Sequence, residues 1–410
     1  MIFKFNTIRL ILLVFSTFCT VVSCTNISIA NNDTKKQDNI LQVASNFDLS
    51  ELDYEELLYF SKICLLTACI VDDGLKQNKF LSDGGCPSRL KFCSSIESNP
   101  TLYDTTIELV IRADNFFHLG TGYIAVDHFR KVVMLVFRGS ATRYDWMQDL
   151  SIFPTKYKPY SYDEYEKLVN RGEIPPCGNC KIHYGFNNFL KSLHPRYLHK
   201  IGKVFKKYPD YQIVITGHSL GAAVALIAGI EFKLRGFQPI ILTYGQPKMF
   251  NNDMVEWVDK LLKTDQIDYI LKHKFGAYSN LNDNHTQIES GDKKDTIFSL
   301  GKGYFRITNE RDYVPRLPPY YYKHAGLEVV ITKPDLPQEL EDLRYIGRSK
   351  DKDEKYEDEI LGIKEDKDEG DEKEGSRRKN LLDLHPSIQE RFHVKEHRSY
   401  FVEINECDYI

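Results

Sequence analysis

The stretch that most constrains this chain runs from Gln212 to Leu234. An apolar segment, QIVIT, leads without a break into Gly217-His218-Ser219-Leu220-Gly221. An Ala-rich run, AAVALIAGIEFKL, leads straight out of it. A G-x-S-x-G turn between a strand and a helix is a nucleophile elbow. The turn is tight enough that the positions two residues either side of the serine must lack bulk, which Gly217 and Gly221 satisfy. The serine hydroxyl then stands above the edge of a sheet. The amide of Leu220, at the helix N-terminus, points where negative charge would develop during attack on a carbonyl. The spacing predicts a strand over Gln212 to Thr216 and a helix over Leu220 to Leu234.

The surrounding pattern alternates strand with helix, which argues for an α/β fold with a mostly parallel sheet. GYIAVDHF (Gly122 to Phe129) and KVVMLVF (Lys131 to Phe137) read as paired strands. The second is apolar almost throughout, as a strand covered on both faces must be. Apolar residues at steps of three and four predict a helix from about His183 to Lys207, interrupted at Pro195. Pro239 to Tyr244, Tyr304 to Thr308 and Leu327 to Ile331 read as further strands, and Tyr400 to Ile404 as a last apolar one.

Two stretches break this rhythm and read as hydrophilic insertions, near residues 278–295 and 345–380. Between Lys350 and Glu374 thirteen acidic residues face six lysines, a net of −7. Such a segment buries too little to order itself and reads as a solvated surface insertion. Over the whole chain 54 Lys plus Arg stand against 58 Asp plus Glu. No electrostatic footprint for nucleic acid shows.

Lys4 and Arg9 precede an apolar run from Leu10 to Val22, followed by small and polar residues to Ala30. This reads as a secretory signal peptide over about residues 1–30, with Ser23 an alternative cleavage point. An uncleaved anchor is the other reading, but the run is short of the 20 or so apolar residues that span a bilayer. Secretion suits the cysteines. Cys177-Gly178-Asn179-Cys180 has no second CxxC or His pair to make a zinc site, so a local disulfide is the better reading. Cys86 and Cys93 read as closing another small loop. Acceptor sequons for glycosylation begin at Asn26, Asn32 and Asn284.

A serine hydroxyl needs a base to take its proton, and the base needs an acid to orient it. In elbow enzymes the chain order is serine, acid, histidine. Asp253, Asp259, Asp265, Asp268, Asp295 and Asp312 all follow Ser219. Asp312 is best placed, in the polar turn after the strand YFRIT. His324, His385, His393 and His397 lie downstream, and pattern alone does not choose among them. His324 precedes a strand and fits a buried structural role; His397 falls in the loop before the Tyr400 strand.

The motifs GYIAVDH, VFRGSATRYDWMQDL, CGNCKIHYGF, YQIVITGHSLGAAVA, LTYGQPKMF, FRITNERDYVPRLPP, YKHAGLEV and EHRSYF occur in this order. Together they resemble the fungal and yeast class 3 lipases, over most of residues 55–407. The resemblance implies an α/β-hydrolase fold with helices on both faces of the sheet and a helical lid. It implies Asp312 as the acid, His397 of the H-x-x-Y segment as the base and His324 as non-catalytic. It also implies Ser140 of FRGS as the first oxyanion-hole residue, with Leu220 as the second. Cys69 and Cys407 match the cysteines that tie the first helix to the C-terminus, which leaves Cys64 unpaired. Arg143 to Ile152 matches the lid, with Trp146, Met147, Leu150 and Ile152 able to form an apolar side. The two insertions, and Met249-Phe250-Asn251 where the family carries Gly-Asn, depart from the pattern.

The expectation is a secreted serine hydrolase of acylglycerol esters, acting at a lipid–water interface and requiring neither metal nor organic cofactor. The rivals are a phospholipase, a soluble-ester or feruloyl esterase on the same scaffold, and an inactive lipid-binding homologue.

Overall fold

Along Val132–Phe137 the side chains alternate between two apolar layers, Val132, Met134 and Val136 facing one and Val133, Leu135 and Phe137 the other. A strand buried this way must lie inside a sheet covered on both sides. The computed structural model of the chain describes residues 47–70, 74–87, 90, 93, 104–112, 121–139, 153–192, 195–276, 300–318, 321–348, 394–404 and 407. All belong to one compact unit, Ser45–Ile410. The expected signal peptide, the three sequons, Ser140, the lid segment, His385, His393 and the cores of both expected insertions lie outside the described residues.

The chain starts with helix α1 (Glu51–Leu65). Ser50 caps it: the Asp53 amide donates to Ser50 Oγ at 3.3 Å, and the Ser50 amide donates back to Asp53 Oδ2 at 2.7 Å. Strands β1 (Thr105–Ile111), β2 (Gly122–Asp127) and β3 (Val132–Phe137) follow. Next come β4 (Pro154–Lys156), α2 (Tyr162–Asn170), β5 (Lys181–His183), α3 (Tyr184–Ser192) and α4 (Pro195–Lys207). Then come β6 (Gln212–His218), α5 (Leu220–Leu234), β7 (Ile240–Tyr244), α6 (Asn252–Leu262) and α7 (Thr264–Gly276). The last elements are β8 (Tyr304–Asn309), β9 (Leu327–Ile331), β10 (Leu343–Arg348), α8 (Val394–Arg398), β11 (Ser399–Tyr400) and β12 (Val402–Glu403).

Eight strands form the central sheet in the order β1-β2-β3-β6-β7-β8-β9-β10. The run from β3 to β9 is parallel throughout, and β1, β2 and β10 are antiparallel to their neighbours. One face packs on α1 through Leu57, Phe60, Ile63 and Cys64. The other packs on α3 to α6 through Phe186, Ile201, Phe205, Ala225 and Trp257. The mostly parallel α/β-hydrolase architecture with helices on both faces is therefore what forms.

The expected helix over 183–207 does break at Pro195. Proline cannot supply an interior amide but fits a helix's first turn, so it opens α4 instead. Other expectations are corrected. His397 lies not in a loop but in α8. The apolar stretch after it is not one strand but the hairpin β11–β12, folded back at Phe401, whose φ is 63°. The polar insertion does not begin at 345, because β10 runs to Arg348 with Tyr345 buried. Among the described residues, no helix is long and apolar enough to cross a membrane.

All three cysteine pairs form, Cys69–Cys407, Cys86–Cys93 and Cys177–Cys180. Among the described residues, Cys64 is the free, buried thiol. Burial pushes that thiol up to about 12, and Thr216 Oγ1 lies 3.3 Å from its sulfur, so it is inert.

Candidate active site

β6, β7 and β8 end side by side, and each delivers a piece of the site from its C-terminal end. At the end of β6, Ser219 adopts φ 57° and ψ −127°, a conformation that few non-glycine residues hold. The elbow is held by its neighbours' lack of side chains. A Cβ at Gly217 would come within 2.4 Å of the Gly221 carbonyl oxygen, and one at Gly221 within 2.4 Å of the Phe137 carbonyl oxygen. The Ser219 amide is spent on the Tyr244 carbonyl at 2.9 Å. Leu220 begins α5, so its amide is among the helix's first donors. Gly139, the residue before Ser140, reaches the elbow from β3: a Cβ there would lie 3.1 Å from His218 O and 3.5 Å from Ser219 Cβ.

β8 delivers Asp312 through the turn at Asn309-Glu310-Arg311. The Asp312 amide donates to the Asn309 carbonyl at 2.9 Å, and the Arg311 amide to Asn309 Oδ1 at 3.1 Å. Three donors meet the Asp312 carboxylate. His397 Nδ1 reaches Oδ2 at 2.8 Å, the Tyr400 hydroxyl reaches the same oxygen at 2.5 Å, and the Val314 amide reaches Oδ1 at 2.9 Å. Burial alone would push this carboxyl up. The His397 imidazole and the other donors outweigh burial and hold it below its ordinary value. An ionised carboxylate only accepts, so His397 Nδ1 carries the proton that faces it. His397 Nε2 is buried and has no hydrogen-bond partner.

The structure thus joins two of the three expected residues, Asp312 and His397, by a direct hydrogen bond. Ser219 is not hydrogen-bonded to His397. It stands one residue beyond His218, whose ring centroid lies 4.6 Å from that of His397.

His324 is elsewhere: its Nε2 donates to the Pro315 carbonyl at 2.6 Å, and burial first, then Arg306 and Lys248, keep it neutral. A cavity of about 580 Å³ lined by Phe47, Leu343 and Tyr345, among others, sits at the β10 edge and contains none of these site residues.

Sequence reasoning assigned no role to four residues that build this site. Tyr400 donates to Asp312 and also accepts the Asn309 amide at 3.3 Å. Gln338 accepts the Phe401 amide at 2.7 Å and donates to the Ser399 carbonyl at 3.2 Å, gripping the main chain on both sides of Tyr400. Gly245, at φ 58°, lies under the cluster: a Cβ there would meet Tyr400 Oη, Asp312 Oδ2 and His397 Cε1 at 3.0, 3.1 and 3.2 Å. His218 donates to the His397 carbonyl at 2.6 Å. Of these only Tyr400 left a local signal, three residues after His397.

Comparison with known proteins shows what the chain is similar to. Residues 134–322 match the family described as "Lipase (class 3)". The chain is 39% identical to a Saccharomyces cerevisiae protein named "Putative lipase LIH1" over 90% of this chain and 98% of that one. It is 30% identical to "Secreted mono- and diacylglycerol lipase 2" of Gibberella zeae over 55% of this chain and 53% of that one. Among solved structures, the Lip2 lipase of Yarrowia lipolytica superposes with a TM-score of 0.55 at 24% identity, covering 88% of this chain and 97% of that one. A G-x-S-x-G elbow on a mostly parallel α/β-hydrolase sheet, in a chain matched over nearly the full length of a related one, places this protein in the class 3 lipase family.

Proposed function

We propose that the chain is a secreted serine esterase that cleaves acylglycerols at a lipid–water interface, with Ser219, His397 and Asp312 as its triad. The observation that carries this is the pair His397 Nδ1 to Asp312 Oδ2 at 2.8 Å, with His397 Nε2 buried and unpartnered beside the Ser219 elbow. Ser219 Oγ attacks the ester carbonyl carbon while its proton passes to His397 Nε2. Asp312 stays ionised and steadies the imidazolium that forms. The amides of Leu220 and Ser140 take the oxyanion, with the Ser140 hydroxyl assisting. His397 then protonates the leaving alcohol. Water, deprotonated by the same nitrogen, attacks the acyl-enzyme, and His397 returns that proton to Ser219 Oγ as the fatty acid leaves.

Three disulfides, the signal-like N-terminus and the secreted relative support an extracellular destination. Residues 143–152 include Trp146, Met147, Leu150 and Ile152, apolar residues suited to meeting lipid. The relative's name also makes mono- and diacylglycerols candidate substrates beside triacylglycerols.

The test compares wild type with Ser219→Ala on emulsified long-chain tri-, di- and monoacylglycerols and on a short soluble ester. Emulsion hydrolysis that disappears in the variant is expected. Hydrolysis of the soluble ester alone would leave an esterase and remove the interfacial claim. Hydrolysis persisting in Ser219→Ala would remove the triad.

A further inference from the structure

We propose that His218, the residue before the nucleophile, is a positioning residue for the catalytic base: its Nε2–H holds the main-chain carbonyl of His397 and sets where the His397 ring stands. The inference rests on the triad reading above.

The starting point is a helix end. α8 spans only Val394–Arg398, and the last carbonyls of any helix lack intrahelical partners. Here three of them have donors. Ser399 Oγ donates to the Lys395 carbonyl at 2.8 Å, and the Ile404 amide to the Arg398 carbonyl at 2.9 Å. The His397 carbonyl has His218 Nε2, at 2.6 Å. A carbonyl only accepts, so Nε2 must carry the His218 proton. Burial, reinforced by the neighbouring His397, brings the His218 imidazole down to about 3, so the ring is neutral and this tautomer persists. Neutrality matters in this place. The two rings lie 4.6 Å apart at 36°, and a cationic His218 would oppose the imidazolium that forms on His397.

The placement has a mechanical sense. His218 closes β6 and Ser219 follows it directly, so one turn carries the nucleophile and the group that holds the base. A shift of the elbow moves both together. The first strand of the hairpin is held separately, by Gln338 and Asn309 on the Ser399 carbonyl. Losing the His218 bond therefore frees the base relative to the nucleophile while the Asp312 contact remains.

The test uses the full chain and His218→Phe, which keeps a ring against His397 and Tyr400 but has no donor. His218→Gln places an amide N–H near the former Nε2, and His218→Asn places one too short to reach the carbonyl. Two rates are read: kcat and KM on a short soluble ester, and labelling of Ser219 by a fluorophosphonate. In labelling, Ser219 Oγ bonds to phosphorus, fluoride leaves and the proton passes to His397. His218→Phe is expected to lose roughly 10- to 100-fold in kcat and labelling rate, the usual effect of about 1 Å of misplacement, with KM nearly unchanged. His218→Gln recovers most of this. Should the Phe variant not fold, as judged by its thermal midpoint, the Gln and Asn pair decides, with Gln the faster. Wild-type rates in His218→Phe, or equal losses in Gln and Asn, would overturn the proposal. A wild-type chain that the probe does not label would sink the triad reading and this inference together.

Discussion

Replacing Tyr400 by Phe removes one oxygen atom from a fully enclosed place, and its consequences can be worked through. The Tyr400 hydroxyl donates to Asp312 Oδ2 at 2.5 Å and accepts the Asn309 amide at 3.3 Å. Both residues are buried. A hydrogen bond to a charged group contributes about 1.5–3 kcal/mol, and the stranded amide adds roughly 1 kcal/mol, so the variant loses about 3 kcal/mol. Unfolding entropy is about 2 cal/mol/K per residue, so for a unit spanning Ser45–Ile410 this lowers the thermal midpoint by about 4 °C. Chemical denaturation at pH 7 reads the same loss directly.

The loss also depends on pH. The Asp312 carboxyl is held below its ordinary value in the folded chain. A depressed carboxyl contributes stability that is present above its unfolded value and lost as pH falls through the folded one. Tyr400 helps to depress it, so the gap between wild type and Tyr400→Phe is full at neutral pH and shrinks as pH falls through the carboxylate range. A midpoint within 1 °C of wild type, or a gap independent of pH, would refute the idea that this hydroxyl stabilises an ionised Asp312.

Four further outcomes are expected. Asp312→Asn lowers kcat by about 10³- to 10⁴-fold, since the amide no longer fixes the His397 tautomer; steady-state kinetics on a soluble ester measure it, and a loss under tenfold would count against the triad. Gly245→Ala costs about 1–2 kcal/mol for its positive φ and pushes on Asp312, Tyr400 and His397, so activity falls with stability; a fully active, equally stable variant would contradict the packing. Replacing both Cys69 and Cys407 by Ala, at a separation of 338 residues, costs about 4–5 kcal/mol in denaturant unfolding; a loss below 1 kcal/mol would show that the bond adds little. Burial lowers the His183 imidazole from 6.5 to about 4. Its contribution is therefore full above the unfolded value and fades as pH falls toward the folded one, by about 2–3 kcal/mol between pH 7 and 4.5. His183→Phe should flatten that part of the acid limb, and an unchanged slope would remove the assignment.

The parts of the fold that could be read from sequence are those whose causes are local. QIVIT-GHSLG-AAVALIAG carries its strand, turn and helix in consecutive residues, and β9 and α5 form with the bounds that their patterns gave. β10 did not show itself. Leu343, Tyr345 and Gly347 alternate inward, but the stretch from 345 read as the start of a polar insertion. Arg348 is instead a structural charge: its Nε meets the buried Asp259 at 3.0 Å, with Asp265 and Glu256 on its other nitrogens. Asp312 could be placed by its turn, whereas choosing His397 from four histidines needed the family resemblance. The supports of the base were hidden for a simpler reason. Gln338 acts on residues more than 60 positions away and His218 on one 179 away, and no pattern in a short window encodes such a pairing.

The Cys69–Cys407 bond has a consequence for force rather than for stability. Ser219, Asp312 and His397 all lie inside the loop that it closes. Tension applied through the segments before Cys69 and after Cys407 runs across one covalent bond and bypasses the sheet. A chain tethered by both ends could peel off α1 while the proposed triad, enclosed by the ring, carries no load.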